Sequence, residues 1–577
     1  MLTPSRAGFA AVLVTLTVPL FSQDLAVKDR TPANPLFIVS VPDSPGFWKS
    51  LGESKFGQMV EREIALPGLS PVEKAGLEKA LGFSLEPSDL FTQTVKGFDA
   101  YFLELNDERG FVVNFSLRDA ATATKILDQV KLECTSAQGN AGGVSASTVV
   151  DTVTAEGVRQ LSLPAFQLYL AADGSTLIWS NQRESLESTL RDEGKAIYSS
   201  EYFKRYMDEL KNDPGKVWVF GEAAQAAPIA KLEDVSVPAG ENLTLGAKVD
   251  ADKSRLKVTT FQHQEDMPSA EKRYTLTAPN GGDISILNYL PENTSAFFGT
   301  NHFDGPSMLE VIEEEAKAKG DEESPFSAKS IDEKVQSGKA LLGFDAKEDI
   351  LANIGPELAI GITQTGQAKD EQYPFDLFAV FHVKNRDRFE AVLKTLEDSV
   401  GSASAAPTPR KRQPKSADPN AVTPTPTPEP TPAVQTEDFE GETIRFAASV
   451  PGAPSTMSNL QPGYAFTSDD YFIFALKKDT IKGLISASKG SKGIADAPLM
   501  KDVNSQLGGS HNDLMLIDGV AVYDILSKQK ESTAGFGGAG VNASFEKLLK
   551  YLGTIRSFSA ATTYSAVGEK QEFVLLF

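Results

Sequence analysis

The sequence predicts an α+β protein made of two tandem copies of an antiparallel sheet with helices packed on one face. Three observations lead there. Short runs of alternating apolar and polar residues, the period of a strand with one buried face, are separated by runs with helical spacing. The same order of segments is written twice along the 577 residues. The longest tract without either period, 401–436, falls inside the second copy rather than between the two.

The copies align segment by segment. "LFIVSVPDSPGFWKSL" at 36–51 faces "AFFGTNHFDGPSMLEVI" at 296–312, each a strand followed by a helix start. Asp43 and Asp304 are placed to cap those helices, and Pro45 and Pro306 fall in the first turn, where a missing N–H costs little. Next, "LGFSLEPSDLF" at 81–91 faces "LGFDAKEDIL" at 342–351. Gly82 and Gly343 end helical patterns, where the backbone turns left-handed. "FVVNFSLRDAATATKILDQV" at 111–130 then faces "LFAVFHVKNRDRFEAVLKTL" at 377–396, so that Val113, Phe115 and Leu117 match Ala379, Phe381 and Val383. Hairpins turning at Asp173-Gly174 and Asp469-Asp470 follow. The closing strands are "LKVTTF" at 256–261 and "EFVLLF" at 572–577. The resulting domain plan is 35–268 for the first copy, 269–283 for a linker and 284–577 for the second copy. Inside the second copy, 401–436 reads as a disordered insertion, because its Pro-Thr repeats form solvated polyproline and build no core.

Residues 1–22 stand apart. Arg6 precedes an apolar run from Ala7 to Phe21 that ends at the small residue Ser22. That run is short for a membrane span and reads as a secretory signal peptide. The expected location is therefore exported, periplasmic or extracellular, with no transmembrane segment in the mature chain. A formal net charge of −22 disfavours nucleic acid and anionic membrane as partners. The single cysteine, Cys134, excludes an intrachain disulfide and reads as an inert thiol in a loop.

A long exported chain carrying "PDSPGFWKSL", "LGFSLEPSDLF" and "LGFDAKEDILANIGPELAIGI" resembles a family of bacterial envelope proteins known only as a domain of unknown function. The match is tightest over Asp349-Ile350-Leu351 and Gly355-Pro356-Glu357. In the first copy that glycine and proline are replaced around Lys96-Gly97-Phe98, so these residues are not one repeated catalytic device. The resemblance covers most of the mature chain. It implies export and a duplicated α+β fold, and it implies no activity.

The signatures of specific chemistry are weak. The four histidines, His263, His302, His382 and His511, form no HExxH pattern. His302 with Asp304 supplies only two ligands of a metal site, and the alternation of its strand turns His382 away from the core. "GGSHND" at 508–513 brings Ser510, His511 and Asp513 together, but neighbours in a turn rarely point at one another as a triad requires. "GFGGAG" at 535–540 lacks the preceding strand of a dinucleotide loop. The acids of "EVIEEEAKAKGDEES" at 310–324 read as a solvated helix face. The C-terminal "EFVLLF" reads as a core strand rather than the end of a membrane barrel. No catalytic, cofactor-binding or metal-ligating residue is assigned, and no cofactor is expected. The expectation is a non-catalytic exported protein, binding an unknown protein or polymer ligand or serving a structural role in the envelope. The alternative is a carboxylate-dependent hydrolase acting on an envelope or extracellular polymer.

Overall fold

The computed structural model describes residues 30–33, 35–41, 43–54, 57–58, 75, 78–86, 89–105, 108–140, 149–163, 168–193, 201–210, 217–222, 244–267, 269–278, 281–318, 333, 335–340, 343–364, 375–404, 434–447, 460–533, 549–550 and 552–577. The leader 1–22, the motif 535–540 and nearly all of 401–436 lie outside these residues.

The strands are β1 (Pro35–Val41), β2 (Val95–Leu105), β3 (Glu108–Leu117), β4 (Val150–Val153), β5 (Arg159–Leu163), β6 (Leu168–Asp173), β7 (Thr176–Ser180), β8 (Val217–Glu222), β9 (Thr244–Asp252), β10 (Arg255–His263), β11 (Thr294–Thr300), β12 (Ile354–Gln364), β13 (Phe375–Val383), β14 (Val434–Phe439), β15 (Glu442–Ala447), β16 (Gly463–Phe466), β17 (Tyr471–Ala475), β18 (Asp513–Asp518), β19 (Ser557–Tyr564) and β20 (Gly568–Leu576).

The expected pair of tandem sheets is not what forms. The described strands pair antiparallel throughout, and the compact units do not follow the order of the chain. One unit joins residues up to Asn280 with Thr533–Phe577, and the other is Gly281–Ser532. The C-terminal strands thus belong with the N-terminal half. β20 pairs with β10 from Arg255↔Leu576 to His263↔Gly568, and with β19 on its other side. The segments "LKVTTF" and "EFVLLF", matched in sequence as closing strands of separate sheets, are hydrogen-bonded neighbours.

The expectation that helices occupy one face also fails. In the first unit the order is β4-β5-β6-β7-β3-β2-β1-β8-β9-β10-β20-β19. On β1, Phe37, Val39 and Val41 point into a core with Phe47, Trp48 and Leu51 of the helix Ser44–Gly52 and Leu127 of the helix Ala120–Asn140. The intervening Ile38 points the other way. It joins Tyr101, Ile178 and Phe220 beneath Leu186 of the helix Arg183–Leu190 and Phe203 and Tyr206 of the helix Glu201–Glu209. A strand buried on both faces reads as a nearly continuous apolar run, which is how "LFIVSV" is written.

The second unit runs β14-β15-β16-β17-β13-β12-β11-β18. It too is covered on both faces, as two neighbours on β16 show. The hydroxyl of Tyr464 donates to Glu397 of the helix Arg386–Ser404 at 2.8 Å. Gly463 faces the opposite helix, Lys478–Ser488, where an added Cβ would stand 3.1 Å from Ile481 Cδ1. Phe381, Phe389, Phe466 and Phe472 fill the first of these layers with tilted and edge-on rings. Ile481, Leu484 and Ile485 are wholly buried in the second.

The local expectations fare better. Gly46 N–H donates to Asp43 at 2.8 Å and Ser307 N–H to Asp304 at 3.1 Å, so both aspartates cap their helices. The hairpin turns contain Gly174 (φ 58°) and Asp470 (φ 60°). Cys134 lies in the helix Ala120–Asn140 rather than in a loop. Within 269–283, Ser269–Thr277 is helical, with Tyr274 buried edge-on against Tyr564.

Candidate functional site

The segment singled out by its likeness to a family folds into a compact polar clamp in the second unit. Up to Ile354, β12 follows ordinary antiparallel register with Val383 of β13, and it resumes at Leu358↔Phe381. Gly355, Pro356 and Glu357 therefore stand opposite one residue, His382. Such a bulge re-aims side chains, and proline is at home in it because no ladder N–H is needed there. The Pro356 carbonyl accepts from Phe303 N–H at 2.7 Å. Gly355 packs against the Nδ1–Cγ edge of the imidazole, and a Cβ there would stand 2.4 Å from His382 Nδ1.

The bulge turns Glu357 toward three other elements. One carboxylate oxygen accepts from the hydroxyl of Tyr471 at the start of β17, the other from the hydroxyl of Ser285 in the turn Ser285–Tyr289. Tyr471 is sandwiched in turn. Its ring lies 4.5 Å from that of Tyr289 and 5.4 Å, edge-on, from that of His382. Burial pushes the Tyr289 phenol up, and a bond with Thr467 opposes this. His382 Nδ1 is enclosed without a hydrogen-bond partner among the described residues.

The other acid of the segment, Asp349, is equally committed. The N–H of Asp345 donates to it at 2.6 Å, and Arg388 donates from Nε at 2.6 Å and approaches with Nη2 at 2.5 Å. The Asp345 N–H, and after burial the Arg388 guanidinium, hold its carboxyl below the usual range. Asn353 ties off the turn by donating to the carbonyls of Asp349 and Glu348.

This arrangement lacks the connectivity of a catalytic triad. Ser285 donates to the carboxylate and not to a histidine, so the bond that would activate the hydroxyl is missing. Both oxygens of Glu357 already accept hydroxyl protons within the fold. The clamp joins four elements and is not repeated in the first unit, where β2 carries only the one extra residue Lys96 between Val95 and Gly97.

The remaining sequence candidates are placed apart. Asp304 is a cap that also lies 3.6 Å from Lys384 Nζ, and His302 is buried beside it in sequence. At 508–513 the structural centre is Asn512, fully buried, which accepts from Gly281 N–H and donates to Asn301. Of the acidic run, Glu313 pairs with Lys347 at 3.3 Å, and 319–324 lies outside the described residues. His382 is half-buried against Tyr471 rather than turned to solvent. β20 is an interior strand between β10 and β19. Among the described residues no three His, Cys, Asp or Glu side chains could hold a metal ion together. No helix of the described residues is long and apolar enough to cross a membrane.

Sequence reasoning marked Glu357 but missed its partners. Ser285 and Tyr471 lie 72 and 114 residues away, and no local period links them. A legible signal was the proline inside the strand-like run "IGPELAIGI", which announces a bulge.

Residues 88–416 match the family model described as "Protein of unknown function (DUF3352)". The chain belongs to this family. The match contains the whole Asp349–Glu357 segment, where the resemblance was tightest, and begins after "PDSPGFWKSL" at 42–51. No curated protein and no solved structure matches the chain.

Proposed function

We propose that the chain is an exported protein without catalytic activity of its own, acting in the cell envelope by binding or as a structural element. The observation that supports this most is the engagement of the DUF3352 segment's carboxylates. Glu357 is held by two hydroxyls and Asp349 by Arg388 and a backbone N–H. A general acid or base needs a lone pair or proton aimed at a reacting atom, whereas the bonds observed on these carboxylates come from other parts of the chain. These carboxylates instead tie one part of the fold to another.

The test uses the purified mature chain and its Glu357→Gln variant, incubated with envelope glycan and peptide polymers and followed by mass spectrometry. The reading expects no product from either protein, with retention of a polymer or protein in a co-sedimentation assay. Turnover by the wild-type chain that disappears in Glu357→Gln would establish the hydrolase instead. Export is tested separately, by fractionating cells that express a C-terminally tagged chain. The tag should be found outside the cytoplasm on a protein that has lost its leader.

A further inference from the structure

We propose that Asp376 is a proton-operated latch that holds the helix Lys478–Ser488 against the second unit and, through it, the Ser285–Tyr289 turn of the clamp. The carboxyl sits at the start of β13, 1% exposed, directly opposite Thr363 of β12, which is 2% exposed. One oxygen accepts from Lys477 N–H at 2.9 Å. Lys477 is the residue before the helix, and its own side chain makes no cap bond. Asp376 therefore serves as a cap supplied from a neighbouring strand, and Thr480, in the first turn, adds a side-chain bond. The second oxygen, Oδ1, and the facing Thr363 Oγ1 are both enclosed without a partner among the described residues.

The buried charge is incompletely compensated. In the ionised state Oδ1 of Asp376 is enclosed without a partner among the described residues, which carries a desolvation penalty. A single proton taken from solvent removes the charge that burial penalises, while Oδ2 continues to accept from Lys477. The charged neighbour is Lys477. The helix contributes the hydroxyl of Thr480 and β12 that of Thr363. Burial pushes the carboxyl up from its ordinary value, so the proton arrives above the usual aspartate range.

The helix carries the effect onward. It packs on the Ser285–Tyr289 turn, and Pro291 beyond the turn reaches to within 3.9 Å of a Cβ built on Gly483. The residues after the helix return to the same place, with Ile494 N–H donating to the Leu290 carbonyl at 2.7 Å. Loosening the helix at its N-terminus frees the turn that supplies Ser285 and Tyr289.

Hydrogen exchange of the full mature chain tests this, with intrinsic rates corrected for pH and peptides covering 478–488 and 285–291 followed together. As pH falls from neutral toward the ordinary aspartate value of about 3.9, both segments should open less often, by up to about tenfold per pH unit for one linked proton. Asp376→Asn, neutral and of the same shape, should match the acid-state protection at every pH and show no slope. A slope that persists in D376N, greater opening of D376N at every pH, or failure of D376N to fold overturns the latch. Protection that changes in the helix but not in 285–291 overturns its link to the clamp.

Discussion

Gly355 packs against the ring edge of His382 across the β12–β13 bulge, so close that a Cβ on residue 355 would stand 2.4 Å from Nδ1 and 3.0 Å from Cγ of the imidazole. No rotation of the far end of a side chain relieves this, because the ring root is also in the way. Gly355→Ala should destabilise the chain by about 1–3 kcal/mol through overpacking, measured as a fall in the urea midpoint. Adding His382→Ala should recover much of the loss. A G355A chain as stable as wild type would show that the bulge yields freely.

Glu357 and Tyr471 form the polar half of the same clamp. Tyr471→Phe and Glu357→Gln should each reduce stability by about 1 kcal/mol, the net worth of a partly exposed hydrogen bond. Because the two groups share one bond, the double variant should lose less than the sum of the single losses. Additive losses in a double-mutant cycle would mean that the contact contributes nothing.

The clamp also shows which parts of the fold were legible in the sequence. The caps Asp43 and Asp304 were readable, as were the turns at Gly174 and Asp470, because helix ends and hairpins are set by residues within four positions of one another. Phe115 and Phe381 were correctly placed on strands, β3 between β2 and β7, β13 between β12 and β17. What local period could not show was the destination of β20. "EFVLLF" fits any apolar strand position, and its pairing with β10 is fixed by packing across the length of the chain. Nor does alternation distinguish one covered face from two. Ile38 between Phe37 and Val39 held that information, as an apolar residue where a solvated face would have a polar one.

His263, at the end of β10, gives the first unit a pH dependence. It is 8% exposed, and its Nδ1 accepts from Glu265 N–H at 3.3 Å. Burial and then the Arg205 charge push its pKa down, against the pull of Glu265, Asp266 and Glu209. The folded state therefore prefers the neutral ring, and the unfolded state binds the proton first. Stability from this group is complete above the ordinary histidine value of about 6.5 and is lost as pH falls from there through the depressed value. Urea titrations across this range should show the loss, and His263→Asn, which keeps an acceptor and does not titrate, should remove that part of it. An unchanged pH profile in H263N would assign the effect to other groups.

Glu572 on β20 is 3% exposed and pairs with Lys257 of β10 at 2.7 Å and with Lys570 at 3.3 Å. Burial alone would raise its carboxyl, but the Lys257 bond and the two ammonium charges outweigh this and hold it down. Glu572→Gln leaves an ammonium poorly compensated beneath the sheet and should cost about 3 kcal/mol. A thermal midpoint within a degree or so of wild type would show that water already solvates the pair.

Deletion of residues 557–577 tests the corrected fold most directly. Two tandem sheets would confine the damage to the second half, because that half would lose its own closing strands. The observed pairing predicts the reverse. β10, flanked by β9 and β20, would lose one of its two partners along its whole length from Arg255 to His263. The first unit's core would lose Phe573, with Phe558, Leu575 and Phe577 packed around it. Fully burying a side chain such as Phe573 contributes about 1.5–3 kcal/mol and the three partly buried ones less each, so their joint removal takes a large share of the stability of an ordinary domain. The Gly281–Ser532 unit contains none of them. Hydrogen exchange of the truncated chain should therefore show β10 and β1 exchanging freely while β13 and β17 stay protected. Protection retained in β10 with loss in β13 would restore the tandem arrangement.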